Sequence, residues 1–401
     1  MKKRVGPLYL LAGLILIAVA GCAGPEVRCP SPEDNPAHHY LVGMQLLEDA
    51  DLAGARAKFA RSVFCDKGFA PSYGGLAITD AAAAVKSGSP PDAKLVAKSH
   101  AELQKARKLS KLPEEKFAFR LARMRVNSAL RPEKWLKEVE RDYKKAMRLK
   151  VDEKRLRYYH DSEAASYFMG LAYIEGGRYQ SAAERFNDVL RAGPGGKWNG
   201  PADKGWKRAD RVVRALGGMT VGDVGRLLAV NRVVTRAALA AFLYDELKID
   251  RLFSARVPVK KREGRGAFSP VDIANSPFKE ELLAVMKWGI RGLEPVYDPS
   301  SKAYLFRPGS VVSRKDFAFV VEDILMKITG DDKLATAFVG HRKSPFPDVA
   351  TTAPWYNAVM NAATRNIMET SLSGEFRPDE PLDGPDLILA VRVLSHHLNI
   401  P

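Results

Sequence analysis

The chain has 401 residues, 46% of them hydrophobic, and a formal net charge of +16 at neutral pH. That is material for two folded domains, and so basic a balance fits a solvated helical face with affinity for polyanions. After the apolar N-terminal run no second stretch is long enough to span a bilayer. With no Gly-x-Ser-x-Gly, no phosphate loop and no paired acids in a recognisable context, we expect a protein that is not an enzyme, with no cofactor and no metal site.

The chain opens with the basic residues Lys2-Lys3-Arg4 and a mostly apolar run from Leu8 to Ala20, a signal peptide by charge, length and small-residue end. Its last residues, Val19-Ala20-Gly21-Cys22, resemble a bacterial lipobox. The resemblance implies removal of residues 1–21 and acylation of Cys22, whose acyl chains would hold the protein in a membrane. Ala23, with no acid in that place, is similar to the sorting pattern of outer-membrane lipoproteins, which implies a chain facing the periplasm. Export removes nucleic acid from the partners. It also places Cys29 and Cys65 in an oxidising compartment, where a disulfide across their 36 positions is worth roughly 3 to 4 kcal/mol in the chain-entropy model. The alternative is two free thiols with Cys65 buried as a small apolar residue. None of the seven histidines has metal-ligand spacing with an acid or a cysteine.

Residues 22–36 read as a Pro-rich tether, and helices follow over 37–194. From His39 to Lys67, Val42-Gly43, Leu46, Ala55 and Phe59 stand where a tetratricopeptide repeat places its landmarks, and Pro71 with Leu76-Ala77 begins a weaker second copy. Trp135, Tyr143 and Ala146 mark a degraded stretch. Ser166, Met169-Gly170, Tyr173, Gly177, Tyr179, Ala182, Phe186 and Pro194 resemble the same repeat at nearly every defining position. The resemblance implies about four helical hairpins in a short right-handed solenoid whose groove binds a segment of another envelope protein. The breaker cluster Gly193 to Pro201 ends this part, and 195–218 reads as a linker with a short helix. Trp206–Leu216 and Val221–Val230 then read as two short helices.

From 219 to 401 one pattern is written twice and half-written once more. Phe268-Ser269-Pro270-Val271-Asp272, Gly289-Ile290-Arg291-Gly292, Phe306-Arg307-Pro308 and Ser313-Arg314-Lys315-Asp316 are answered by Phe346-Pro347-Asp348-Val349, Trp355, Asn366-Ile367, Phe376-Arg377-Pro378 and Asp383-Gly384-Pro385-Asp386. An orphan second half stands before both at Thr235-Arg236-Ala237-Ala238. Ser313 with Asp316 predicts a capped helix start, Phe317, Val320, Val321, Ile324, Leu325 and Ile328 its buried stripe, and Gly330 its end. Asp383 is the predicted cap of the last helix.

This pattern resembles the S-layer homology family, which implies an all-α pseudo-threefold helical domain that holds cell-wall polysaccharide or peptidoglycan in grooves between lobes. Carried onto this sequence, Arg236, Arg314 and Trp355 become the polymer-binding candidates, each Arg serving either the ligand, through its planar fork, or the fold. The third copy has no Arg at this place, and Phe278 stands where the earlier copy should have Trp. The expected protein is an envelope tether with a lipid at one end and wall polymer at the other. The rival is an accessory or pilotin-like lipoprotein that assembles a secretion, pilus or outer-membrane complex without touching the wall.

Overall fold

The first helix starts where the backbone chemistry asks for it. The Asn35 side chain accepts a hydrogen bond from the His38 N–H, and Pro36 takes the first helical position, where a missing N–H costs nothing. Just upstream, Cys29 is joined to Cys65 at a Cα–Cα distance of 5.3 Å. Asp34 lies 2.7 Å from His39 Nε2 and accepts from Arg61 Nε and Nη2 at 2.9 and 2.6 Å. The entry to the first helix is thereby fastened to the second.

The computed structural model describes residue 29 and residues 31–217, 222–256 and 269–399. The signal peptide, Cys22 and the start of the tether lie outside the described residues, as do Met219 to Val221 and Phe268. The chain is mostly α-helical: sixteen α-helices and one two-stranded sheet among the described residues. No described helix is long and apolar enough to cross a membrane. Two compact units emerge, residues 1–168 and 169–401.

The first unit holds α1 (Pro36–Glu48), α2 (Leu52–Cys65), α3 (Ala70–Lys86), α4 (Ala93–Leu109), α5 (Pro113–Leu130) and α6 (Trp135–Ala146). Phe59 on α2 is fully buried because glycines face it from both sides: a Cβ at Gly43 would sit 2.7 Å from its ring, and one at Gly75 closer still. Two helices can therefore close over one aromatic ring. Buried Asp80 and Asp142 are each met by arginine, Asp80 by Arg56 at 3.0 Å and Asp142 by Arg120 at 2.9 Å and by Arg123. Beyond α6 the chain runs without α-helix to residue 162, yet Leu156, Tyr158 and Tyr159 on it are buried.

The second unit begins within α7 (Glu163–Glu175), whose last turns pack with α8 (Tyr179–Ala192) and α9 (Asn199–Leu216). Phe186 on α8 repeats the device of Phe59, lying between Gly170 and Gly205. The packing of α8 on α9 carries this hairpin past the breaker cluster into the same unit as everything that follows. There come α10 (Asp223–Leu228), α11 (Arg236–Leu247), α12 (Ile249–Arg256), α13 (Lys279–Lys287), the hairpin β1 (Val296–Asp298) and β2 (Ala303–Leu305), α14 (Arg314–Thr329), α15 (Tyr356–Thr364) and α16 (Gly384–His397). The hairpin pairs Tyr297 with Tyr304.

Three of these helices are equivalent. α11, α14 and α16 are capped by Thr235, Ser313 and Asp383, each side chain accepting from the backbone N–H three residues on. At Ser313 the cap is reciprocated by Asp316, and α14 ends at Gly330 in the left-handed conformation, as the sequence predicts. Just before each cap the backbone forms a closed triangle: Val312 N–H donates to Val234, Leu382 to Val312 and Val234 to Leu382, all at 2.9 Å. Each capped helix packs on the outer helix of the next copy, α11 on α13 and α14 on α15, and α16 returns to α10. Phe242, Phe306, Phe317 and Phe376 fill the centre, fully buried.

Candidate functional site

The repeated motifs meet at the junctions between copies. In the second and third copies an aspartate of the opening motif holds the Phe-Arg-Pro loop by its backbone. Asp272 accepts from the Phe306 and Arg307 N–H groups at 3.0 and 2.6 Å, and Asp348 accepts from Phe376 and Arg377 at 2.9 and 2.6 Å. Both loop arginines sit at positive φ, 55° and 59°, a conformation an L-residue adopts when its surroundings hold it there. These two aspartates belong to the repeated motif, but their role was not readable from it. The usable signal was an acid in the opening motif of each copy, 34 residues before Phe306 and 28 before Phe376.

The helix-start arginine of the preceding copy grips the same loop. Arg236 donates through Nε to the Phe306 carbonyl at 2.8 Å, through Nη2 to Glu294 at 2.9 Å, and through Nη1 to Gly292. Arg314 donates to the Phe376 carbonyl at 2.8 Å and the Glu369 carbonyl at 2.6 Å, and pairs with Asp386 at 3.0 Å. Each guanidinium also lies over the loop phenylalanine, 4.7 Å from the Phe306 ring centre and 5.0 Å from that of Phe376. Arg314 is 3% exposed. Burial pulls the pKa of both guanidinium groups down from the usual arginine range, opposed chiefly by Glu294 for Arg236 and by Asp386 for Arg314.

At the third junction Gly384 takes the place of the arginine, and the structure says why. A Cβ there would fall inside the van der Waals radius of the Leu228 carbonyl oxygen, because the turn after α10 docks directly on the start of α16, with Gly384 N–H donating to Asn231 at 3.0 Å. The first copy has no Phe-Arg-Pro loop to brace. Arg211 of α9 supplies the missing cation from outside, 3.0 Å from Asp383 and 3.3 Å from Asp386.

Trp355 belongs to the junction of Arg314. Its half-buried ring lies 4.5 Å from Lys315 Nζ, and its indole N–H has no acceptor among the described residues. Lys315 reaches on to Asp379, and Arg377 pairs with Glu380 at 3.0 Å. Trp355, Lys315 and Arg377 thus place one aromatic ring and two half-buried, ion-paired cations beside a loop whose shape is fixed from below. In the earlier copy Phe278 stands at the start of α13 in the place of Trp355, and Arg236 at that junction has no lysine after it. Lys315 and Arg377 were not singled out by the sequence, where Arg314 drew the attention.

The first unit has a separate cavity of about 410 Å³ lined by Tyr40, Phe69, Leu112, Glu114, Leu156 and Tyr158 among others. Its far wall is the non-helical segment after α6. The Asp152 N–H donates to Glu114 at 2.9 Å, and the Tyr158 ring meets that of Tyr40 edge-on at 6.4 Å. Among the described residues the donors close enough to share a cation are those of Cys29, Asp34 and Cys65, where the two sulfurs are bonded to each other. At the segment's end burial pushes the Asp161 carboxyl up to about 7, with Glu163 adding to the rise. An acid held above its unfolded value near 4 stabilises the fold while it is protonated, so this contribution is complete below about pH 4 and is lost as pH rises through 7. Asp161→Asn is therefore expected to stabilise the first unit at pH 8 by about 1 kcal/mol after solvent screening and to change little at pH 4. Thermal melts at the two pH values measure it.

Residues 345–384, from the opening Phe346 to the first turn of α16, match the family model described as the S-layer homology domain. Neither the curated proteins nor the solved structures yield a match to the chain.

Proposed function

We propose that the chain is a non-enzymatic envelope protein whose three-lobed unit binds cell-wall polymer and whose Cys22 lipid anchors it in a membrane, facing the periplasm from the outer membrane. The observation that carries the wall-binding reading is the S-layer homology match over the same loop and helix start that form the junction of Arg314, Trp355 and Lys315. In this reading Arg236 and Arg314 act as positioning residues. Their donors shape the loops, while Trp355, Lys315 and Arg377 meet the polymer: the indole stacks on a sugar face and the cations meet its acidic substituents. The lipid anchor is supported by the lipobox, and partner capture by the first unit is supported by its tetratricopeptide-like hairpins and the aromatic cavity.

The test is sedimentation with purified peptidoglycan sacculi that retain their wall polysaccharide. The wild type should co-sediment, and the triple variant Trp355→Ala, Lys315→Ala, Arg377→Ala should be retained about 150-fold less, at about 1 kcal/mol for the stacked ring and for each cation. A folded wild type that stays in the supernatant at low salt removes the wall from the proposal. That result favours the second reading, in which the aromatic cavity of the first unit receives a component of a secretion, pilus or outer-membrane complex.

A further inference from the structure

The positive charge of this chain is concentrated. Between Lys94 and Arg157 there are 21 basic and 9 acidic residues, a surplus of 12 in a chain whose net charge is +16. Four of the nine acids are spent inside the fold. Asp142 is fully buried against Arg120 and Arg123, Glu102 is buried, and Glu114 and Glu115 accept backbone N–H groups. Most of the cations stay exposed, alongside Glu133, Asp152 and Glu153.

They are ordered on α6. Its inner side is Val139, Asp142 and Ala146, packed on α5. Its outer side carries Lys137, Arg141, Lys144, Lys145 and, just past the helix, Arg148, all exposed and spaced by three and four residues, so they form one stripe. Arg141 pairs with Glu138, whereas Lys137, Lys144, Lys145 and Arg148 have no ion-pair partner among the described residues. An apolar group lies beside the stripe at its end, Met147, 46% exposed, whereas Trp135 shares the inner side of Val139 and Ala146.

We infer that this face of the first unit lies on the phosphate headgroups of an anionic bilayer. A straight row of cations about 17 Å long meets a charged plane along its whole length. The exposed Met147 at its end suits the boundary between headgroup and acyl chain, which a hydrated polyanion does not offer. The chain enters the unit at Cys29, seven residues after Cys22. This rests on the lipid-anchor reading, in which those seven residues hold Cys29, where the described unit begins, within about 25 Å of the membrane.

The probe is the full chain lacking its signal peptide and carrying Cys22→Ser, so that no acyl group contributes. It is sedimented with phosphatidylethanolamine–phosphatidylglycerol vesicles and with phosphatidylcholine vesicles. Binding to the anionic vesicles alone is expected, lost in high salt. Replacing Lys137, Lys144, Lys145 and Arg148 by serine should weaken it on the order of 100-fold, a few-fold per cation. A control variant, Lys279→Ser, Lys333→Ser, Arg342→Ser, Lys343→Ser in the second unit, should bind as the parent does. Equal binding to the neutral vesicles, equal loss in the control variant, or binding to a soluble anionic polysaccharide with none to vesicles would each overturn the inference. Sacculus retention of the stripe variant, measured in parallel, should be unchanged; it separates a failure here from a failure of wall binding.

Discussion

Arg314→Ala is expected to destabilise the three-lobed unit by about 3 to 5 kcal/mol, the range for removing one partner of a buried ion pair. The substitution strands the Phe376 and Glu369 carbonyls and leaves Asp386 with Arg211 as its remaining cation. A loss of that size is a large share of a domain's stability, and chemical denaturation followed by circular dichroism will register it. Arg314→Lys keeps the charge without the planar fork and should recover only part. Arg236→Ala, at a half-buried junction with carbonyl acceptors alone, should cost less, about 1 to 3 kcal/mol. If Arg314→Ala unfolds at the wild-type midpoint yet no longer binds sacculi, the arginine is a ligand contact and its structural role here is wrong.

Gly384→Ala is expected to be as damaging through a single methyl group. The new Cβ meets backbone, the Leu228 carbonyl, so no side-chain rotation relieves it. Either α16 or the turn after α10 must move, and the Gly384–Asn231 hydrogen bond goes with it. Overpacking of this kind costs about 3 kcal/mol. The measurement is the same denaturation experiment, with hydrogen exchange expected to locate the opening at the α10–α16 junction. An alanine variant as stable as the wild type would mean that this junction is looser than described.

What the sequence made legible was what repeats. The Ser313–Asp316 cap, the Gly330 stop, the buried stripe of α14 and the glycine-flanked Phe59 and Phe186 follow from local chemistry or fixed spacing, and each stands where the pattern puts it. The Cys29–Cys65 bond is formed as the even count allowed. What stayed hidden were roles that depend on a partner distant in sequence. Nothing local to Arg314 announces that its fork closes on carbonyls 55 and 62 residues away. Nothing in α9 announces that Arg211 replaces the arginine the last copy lacks. Gly384 looked like a lost functional residue; its absent side chain is room made for a neighbouring backbone. The segment after α6 has no period to read, and its buried tyrosines are explained by the rings and the carboxylate they meet.

The triangle of Val234, Val312 and Leu382 has a bearing on how such a unit can be inherited. An open stack of hairpins tolerates gain or loss of a member, since each touches only its neighbours. A ring held by one hydrogen bond per corner does not: deleting any corner orphans a donor and an acceptor in the dry centre. Copy number is therefore locked, and the first copy, which has no Phe-Arg-Pro loop, still supplies its corner through Val234. At its three corners the demand is on the backbone, an N–H that every residue but proline supplies.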